Sequence, residues 1–247
     1  MIFEIIAELA IFALLVSCGY AGIRAYVSWR QPRFADLLSR RRLAVLCLLM
    51  LLIVCAKLFE DVLGGESSVV DTRVLLAIRA VLPAGLGPFF STLTIAGSAV
   101  VVIPVTLAAS ALFAGFGRRF EAGLTMASLG VAAALVYGIK TVAARARPAL
   151  WDTQWYWGSS FPSGHTLHTA ALSTALALCV ARIAPRWGNR AMAAAVIWTL
   201  LIGVSRLALG VHWPTDVLAA LGLGWLVSLS IAMAMELRVE RKRCINK

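Results

Sequence analysis

Residues 43–63 read LAVLCLLMLLIVCAKLFEDVL, and the first fourteen of these residues carry no charge. A helix needs about 20 mostly apolar residues to cross the roughly 30 Å hydrocarbon core of a bilayer, so this stretch predicts a membrane-spanning helix. Similar stretches recur along the chain. We identify up to seven such windows, at residues 3–27, 43–63, 97–117, 120–140, 165–184, 191–210 and 215–236.

The composition of the 247-residue chain is that of a membrane protein. Apolar residues make up 61% of it, charged residues make up 14%, and the mean hydropathy is +0.86. The net charge of +11 could indicate nucleic-acid binding, but the basic residues form short runs between apolar windows rather than one soluble face. We therefore predict an all-α integral membrane protein, a bundle of six to seven transmembrane helices, with no nucleic-acid partner.

The basic runs predict how the helices are oriented. They comprise Arg30, Arg33, Arg40, Arg41 and Arg42, then Arg118 and Arg119, then Arg182, Arg186 and Arg190, and finally Arg238, Arg241, Lys242 and Arg243. An alternating topology puts all four runs on one side of the membrane, which the positive-inside rule makes cytoplasmic. We therefore expect the amino terminus outside and the carboxyl terminus in the cytoplasm.

The rest of the chain indicates a single membrane domain, 1–247, without internal repeats. The first window carries Glu4 and Glu8 where a secretory signal would have basic residues, so we predict that it spans the membrane. Residues 69–95 combine charges with proline and glycine, which favours an amphipathic segment in the outer interface. The five cysteines show no paired spacing, and neither a disulfide framework nor a zinc site is indicated.

Three polar stretches fall on the outer side under this topology. In the first, residues 140–148 (KTVAARARP), Lys140 and Arg147 are separated by about two helical turns. If the helix continues to Pro148, both cations share a face that could bind one phosphate, and Arg145 points elsewhere. The alternative is a pair of snorkelling cations at a helix end, although the positive-inside rule predicts those on the other side.

The second stretch, residues 161–165 (FPSGH), precedes an apolar run. Ser163 is a natural N-cap, and Gly164 lets a ligand approach the backbone, so the start of the helix offers unpaired N–H groups to an anion. His165 lies in the first turn, and His168 one turn later is either a further polar contact or a packing residue. The alternative is an ordinary capped helix.

The third stretch, residues 205–216 (SRLALGVHWPTD), adds the cation Arg206 and places His212 four residues before Asp216. Pro214 fits the first turn of the last helix, which would let Asp216 fold back to the His212 ring. A carboxylate that accepts the Nδ1 proton fixes the tautomer and leaves Nε2 to act as a nucleophile. The alternative is a helix-capping aspartate beside an interfacial histidine.

Together the three stretches resemble the signature of the type 2 phosphatidic acid phosphatase (PAP2) superfamily, whose bacterial membrane members include phosphatidylglycerophosphatase B and undecaprenyl-diphosphate phosphatases. They match K-x6-R-P, P-S-G-H and S-R-x5-H-x3-D in that order. The resemblance covers about residues 71–235, which would form a PAP2-like catalytic core, and leaves residues 1–42 as an additional helix with a cytoplasmic loop. It implies a bacterial inner (cytoplasmic) membrane, with the active site facing the periplasm.

Applied to this sequence, the resemblance implies that His212 attacks phosphorus and forms a phosphohistidine, that Asp216 orients it, and that His165 protonates the leaving oxygen. The groups implied to bind the phosphate oxygens are Lys140, Arg147, Ser163, Gly164 and Arg206. The scheme requires no metal and no other cofactor, which agrees with a sequence that offers three phosphate-binding cations and has no carboxylate cluster in these stretches. It also implies a bell-shaped pH profile.

The implied substrate is a lipid phosphate monoester or diphosphate, and membrane lipids are the only other expected partners. Phosphatidate, phosphatidylglycerophosphate, undecaprenyl diphosphate and the phosphates of lipid A all fit, because the motifs contact the phosphate that they share. A lipid phosphotransferase would use the same site. A vanadium haloperoxidase shares the site residues but is soluble, and a non-catalytic lipid-binding or transport protein would need no such histidine–aspartate arrangement.

We expect the Trp-rich loop 151–157 to anchor at the outer headgroup level, or else to line the access route for a headgroup.

Overall fold

The computed structural model describes residues 2–30, 38–39, 41–153 and 158–245. In this part of the chain every regular element is a helix, so the predicted all-α class is confirmed. The α-helices are α1 (Ile2–Arg30), α2 (Arg42–Leu63), α3 (Ser68–Val81), α4 (Gly87–Ile95), α5 (Ala99–Gly115), α6 (Arg119–Ala143), α7 (Gly164–Ile183), α8 (Gly188–Ala208) and α9 (Pro214–Ile245). Arg33 and Arg40 of the first basic run lie outside the described residues.

Seven helical segments among the described residues are long and apolar enough to cross a membrane. They are Glu8–Arg30, Arg42–Leu63, Gly87–Gly115, Arg119–Ala143, Gly164–Ile183, Pro185–Ala208 and Pro214–Glu240. Each overlaps one of the predicted windows, which confirms the prediction of a multi-pass membrane protein. Many large apolar side chains in these segments are exposed, as expected where a helix faces lipid rather than water.

The prediction that residues 69–95 form an interfacial segment is wrong for its second half. Helix α4 leads through a turn at residues 96–98 into α5, and the two helices together form the third candidate span. The turn packs tightly against α8, since a Cβ added at Gly97 would lie 2.7 Å from the side chain of Ile202. The first half of the segment forms α3, whose Asp71 is fully buried.

The chain divides into two compact units, Met1–Lys57 and Leu58–Lys247. In the first unit α1 lies alongside the first part of α2, and a Cβ added at Gly19 would be 3.5 Å from Leu49. This division falls inside α2, after Lys57. The resemblance instead predicts that the additional segment ends at residue 42. The single-domain organisation stays a prediction.

Helix α7 is the centre of the second unit and packs against α6, α8 and α9. The contact with α9 is very close: a Cβ added at Gly224 would lie 2.4 Å from the Cβ of Ala170 and 2.8 Å from the carbonyl oxygen of Leu167. Small residues allow helix backbones to approach closely, which is how helices associate where lipid removes the hydrophobic driving force. The same packing brings the end of α6, the start of α7, the end of α8 and the start of α9 to one end of the bundle.

We predict that Gly224→Ala destabilises the protein, because the added methyl group must separate α7 from α9. Overpacking of this kind costs about 1–3 kcal/mol of the free energy of unfolding. The matched control is Gly130→Ala on α6, where an added Cβ would have no neighbour within 4 Å. Thermal unfolding in detergent should show a lower midpoint for Gly224→Ala and an unchanged or higher one for Gly130→Ala. Equal midpoints for Gly224→Ala and the unmodified chain would contradict the prediction.

Candidate active site

His212 and Asp216 meet in the turn that joins α8 to α9. The turn passes through Gly210 in a left-handed conformation (φ 66°), and α9 begins at Pro214. Asp216 folds back from the first turn of α9, so that its Oδ2 accepts a hydrogen bond from the Trp213 N–H at 2.8 Å and lies 3.3 Å from Nδ1 of His212. The side chains of the histidine and the aspartate are 3% and 0% exposed. The fold-back that the sequence suggests is present.

Arg147 faces the other nitrogen of the His212 ring. Its Nη1 lies 3.3 Å from Nε2 of His212 and donates a hydrogen bond at 2.9 Å to the carbonyl oxygen of Val211. The expectation that Lys140 and Arg147 share a helix face is wrong, because α6 ends at Ala143 and the chain continues without helical structure. The non-helical chain after Ala143, rather than a helix, brings Arg147 to the histidine.

Lys140 remains on the last turn of α6 and joins the same group through a backbone oxygen. Its Nζ donates a hydrogen bond to the carbonyl of Ser159, and Nη2 of Arg147 lies 3.5 Å from the same oxygen. The third cation, Arg206, comes from the last turn of α8 and is only 1% exposed. Its Nη1 donates to Oγ1 of Thr94 at 2.8 Å, on the neighbouring helix α4.

Burial and the surrounding cations keep His212 uncharged. Burial lowers the pKa of His212 from its ordinary 6.5 to about 4, and the positive charges of Arg206 and Arg147 act in the same direction. Asp216 opposes this shift by hydrogen bonding to the ring and through its negative charge. The imidazole is therefore neutral at physiological pH, with Nδ1 directed at a carboxylate and Nε2 directed at a cation.

The second polar stretch begins α7 as predicted, but the serine does not cap the helix with its side chain. Ser163 is the N-cap residue, and its extended backbone leads into a helix that starts at Gly164. Its Oγ accepts a hydrogen bond from Oγ1 of Thr166 at 3.0 Å, and its N–H donates to the carbonyl of Asp216 at 3.2 Å. The start of α7 is thus tied directly to the start of α9.

The two histidines of α7 differ in their surroundings. His165 is half-buried in the first turn, close enough to Arg206, Arg147 and His212 to interact with them electrostatically. His168 is also half-buried, and its buried Nε2 has no hydrogen-bond partner among the described residues. His165 interacts directly with the group around His212, whereas His168 interacts electrostatically with His165 and Lys140 at the edge of that group.

Two charged residues that the sequence analysis left outside the site lie directly behind it. Arg145 donates from Nη1 to Oδ1 of Asp216 at 2.6 Å and from Nη2 to Oδ2 of Asp71 at 2.5 Å. Asp71 and Arg145 each lie near other charged residues in the sequence, so no local signal marks either of them as part of a site. Nothing in the spacing pairs residues 71 and 145.

Trp151, in the loop after the first stretch, packs against the turn that carries His212. A Cβ added at Gly210 would lie 2.4 Å from the indole of Trp151, and the guanidinium of Arg79 lies over the same ring, 5.2 Å from its centroid. Residues 154–157 of this loop lie outside the described residues. Among those that are described, no three His, Cys, Asp or Glu side chains are grouped closely enough to hold a metal ion.

Comparison with known proteins places this chain among membrane phosphatases. The family model described as "PAP2 superfamily" matches residues 121–240. The undecaprenyl-diphosphatase of Sulfolobus acidocaldarius is 30% identical over 193 residues, which cover 74% of this chain and 88% of that protein. Phosphatidylglycerophosphatase B of Haemophilus influenzae is 42% identical over 77 residues, or 29% of this chain and 30% of that protein.

The fold agrees with a solved structure of the same type. The transmembrane PAP2-type phosphatidylglycerolphosphate phosphatase of Bacillus subtilis superimposes with a TM-score of 0.66 at 23% identity, over 79% of this chain and 96% of that one. The likeness in fold extends well beyond the residues that the family model matches. With a relative of 30% identity matched over most of its length and three motifs gathered at one end of the bundle, this chain belongs to the PAP2 superfamily.

Proposed function

We propose that this PAP2-type lipid phosphatase hydrolyses a lipid phosphate monoester or diphosphate through a phosphohistidine on His212, without a metal ion. The observation that carries the proposal is the neutral, buried His212, held between the Asp216 carboxylate at Nδ1 and the Arg147 guanidinium at Nε2. A phosphate group bound by Arg147 would lie next to Nε2, the atom that must attack it. Asp216 would stabilise the positive charge that develops on the ring as the N–P bond forms.

The cations around His212 would bind the phosphate oxygens and stabilise the charge of the transition state. Lys140 and Arg147 meet at one backbone oxygen, and Arg206 approaches from α8. The first N–H groups of α7, beginning at Gly164, lack partners within their own helix and would add to this anion site, together with the Ser163 hydroxyl. Donors fixed in place before the reaction stabilise developing charge without reorganisation.

His165 would act as the acid and then as the base. It lies in the first turn of α7 and interacts electrostatically with His212 and Arg206, which supports a position beside the bound phosphate. In the first step it would protonate the leaving lipid oxygen as the P–O bond breaks. In the second step it would remove a proton from the water that attacks the phosphohistidine, releasing inorganic phosphate and restoring neutral His212.

An apolar cavity beside the site supports a substrate with a long chain. The cavity of about 260 Å³ lies between α5, α7 and α8, where Val105, Thr169, Ser173 and Trp198 are among its lining residues. Thr169 is one helical turn beyond His165, so the cavity begins next to the proposed acid. We propose that it accepts the first part of the lipid chain. Undecaprenyl diphosphate is the first substrate to test, because a relative that covers 74% of this chain is an undecaprenyl-diphosphatase.

We also propose that the site faces the outer surface of the inner membrane of a bacterium. Arg118 and Arg119 lie at the start of α6 and Arg182 lies in the last turn of α7, at the helix ends opposite to Lys140 and His165. The positive-inside rule makes the basic ends cytoplasmic and therefore puts the site end outside. The amino terminus would be outside and the carboxyl terminus inside.

We predict that His212→Ala abolishes the phosphoenzyme, whereas His165→Ala accumulates it. Without the imidazole no N–P bond can form, and turnover should fall by at least about 10³-fold. Without His165 the first step can still proceed when the leaving group needs no proton, but water is no longer activated. The measurement is trapping of acid-labile, base-stable phosphoprotein from a ³²P-labelled aryl phosphate in detergent with excess EDTA. Trapped phosphate in His212→Ala would contradict the mechanism, and transfer of label to an added acceptor lipid would favour the phosphotransferase.

We predict that activity persists below the pH at which an ordinary histidine becomes charged. The pKa of His212 is lowered to about 4, so the nucleophile stays neutral as the pH falls from 7 to 5 and is lost only below that range. The measurement is kcat/KM against pH, corrected for the separately measured titration of the substrate phosphate. An acid limb near 6.5 that remains after this correction would show that His212 is not the neutral, buried nucleophile proposed.

We predict that Val105→Trp selectively impairs long-chain substrates. Val105 lines the cavity beside the site, so a larger ring there should obstruct the chain, displace the phosphate from His212 and lower kcat/KM about tenfold or more. A short-chain phosphate should be hydrolysed as before. The matched control is Val100→Trp on the same helix, at a position that is 81% exposed and does not line the cavity. Equal loss for both chain lengths would contradict the role of the cavity.

A further inference from the structure

A chain of alternating charges runs into the site from α3. Asp71 on α3 is paired with Arg145 at 2.5 Å, Arg145 is paired with Asp216 at 2.6 Å, and Asp216 lies 3.3 Å from Nδ1 of His212. Both carboxylates are fully buried, and the Arg145 side chain is 13% exposed. The sequence of charges from α3 to the histidine is therefore negative, positive, negative and neutral.

Arg145 is held rigidly in this position by several further bonds. Its Nη2 also donates to Oγ of Ser67 at 3.0 Å, its Nη1 donates to Oγ1 of Thr215 at 2.8 Å, and its backbone N–H donates to Oγ of Ser159 at 3.0 Å. The left-handed residue Ala144 (φ 43°) turns the chain out of α6 immediately before it. An arginine with this many partners is a fixed charge rather than a mobile surface group.

Asp71 binds the same turn from the other side. Its Oδ1 accepts a hydrogen bond from the Thr215 N–H at 2.9 Å, and its Oδ2 accepts one from Oγ1 of Thr215 at 2.6 Å. Thr215 directly precedes Asp216 at the start of α9. Asp71 therefore fixes both the guanidinium and the backbone that carries the carboxylate of the His212–Asp216 pair.

The position of Arg145 has a direct electrostatic consequence for His212. A buried carboxylate at hydrogen-bonding distance favours the protonated imidazolium, because the two opposite charges attract strongly where water is excluded. Arg145 occupies the second oxygen of that carboxylate and neutralises much of its field. The carboxylate can then orient the ring without making it so basic that it binds a proton in the resting enzyme.

We propose that Arg145 and Asp71 are positioning residues for the reaction. Arg145 shares the Asp216 carboxylate with His212 and limits the electric field of that carboxylate at the ring, and Asp71 holds Arg145 in place. His212 therefore rests as a neutral nucleophile. The inference rests on the proposed role of His212 as the attacking group.

The other charges that face His212 come from different elements and are not altered by changes at Arg145. They are Arg147 in the chain after α6, Arg206 on α8 and His165 on α7, together with Lys140 on α6, which interacts with Arg147, Asp216 and Arg206. All four are the same in the unmodified chain and in variants at position 145. A difference in the titration of His212 between these proteins therefore reports on the Asp71–Arg145–Asp216 charges alone.

The test measures kcat/KM against pH on one substrate for Arg145→Gln, Arg145→Lys and the unmodified chain. The quantity compared is the acid limb of each profile, that is, the pH at which kcat/KM falls on the acid side. Arg145→Gln leaves the Asp216 carboxylate uncompensated, so the pKa of His212 should rise and the acid limb should move up by about one pH unit. Arg145→Lys keeps the positive charge, so its limb should stay near that of the unmodified chain even if kcat is lower. The titration of the substrate phosphate is common to all three.

Two further variants keep the test decisive. Arg145→Gln leaves two buried carboxylates, Asp71 and Asp216, without their shared ion-pair partner, which can prevent this variant from folding. We therefore include the double variant Arg145→Gln with Asp71→Asn, in which only the Asp216 carboxylate loses its partner. Its acid limb should move in the same direction as that of Arg145→Gln. The control is Arg182→Gln, which breaks an ion pair of the same type with the buried Glu121 (3.2 Å) at the opposite end of α7. Its limb should not move.

An upward shift in Arg145→Gln or in the double variant, absent from Arg145→Lys and Arg182→Gln, would establish the inference. Reduced activity with an unshifted limb in both neutral variants would overturn it and leave the proposed function intact, since Arg145 would then only support the fold. Turnover that survives in His212→Ala would overturn the proposed function itself, whatever the position of the limbs.

Discussion

Ionised groups can be buried in an apolar helix bundle only if each has a partner of opposite charge, and this requirement organises the site end of the protein. Asp71, Arg145 and Asp216 come from α3, from the chain after α6 and from α9, and two ion pairs join them. Removing the shared Arg145 would leave two buried carboxylates without their ion-pair partner. The three elements are therefore fixed to each other by the same contacts that hold the carboxylate at His212.

The site uses two kinds of electrostatic environment on the two sides of one imidazole ring. On the Nδ1 side the charges are paired and fully bonded within the protein, so they orient the ring but offer nothing to a ligand. On the Nε2 side the cations Arg147, Lys140 and Arg206 gather with the start of α7. That side is suited to an anion with several oxygens, which agrees with membership in a family of phosphatases.

Much of this arrangement could be predicted from local sequence, because apolar length and motif spacing are local properties. The seven windows, the helix start after Ser163 and the fold-back of Asp216 all follow from such patterns. The predictions that failed concern features that depend on contacts between elements distant in the sequence. Helix α6 ends at Ala143, and the left-handed position that follows is occupied by Ala144 rather than by the glycine that would have predicted the end. No sequence pattern pairs Asp71 with an arginine 74 residues later. The site roles of the motif residues stay predictions until the variants are measured.

The indole of Trp151 occupies the space that any side chain at position 210 would need. The loop that leaves the first motif is therefore seated on the turn that carries His212, and the two cannot part without exposing that turn. The apolar cavity beside α7 is lined by α5 and α8, which belong to candidate membrane-spanning segments, so under the proposed function the lipid chain would enter sideways from the bilayer rather than past this loop.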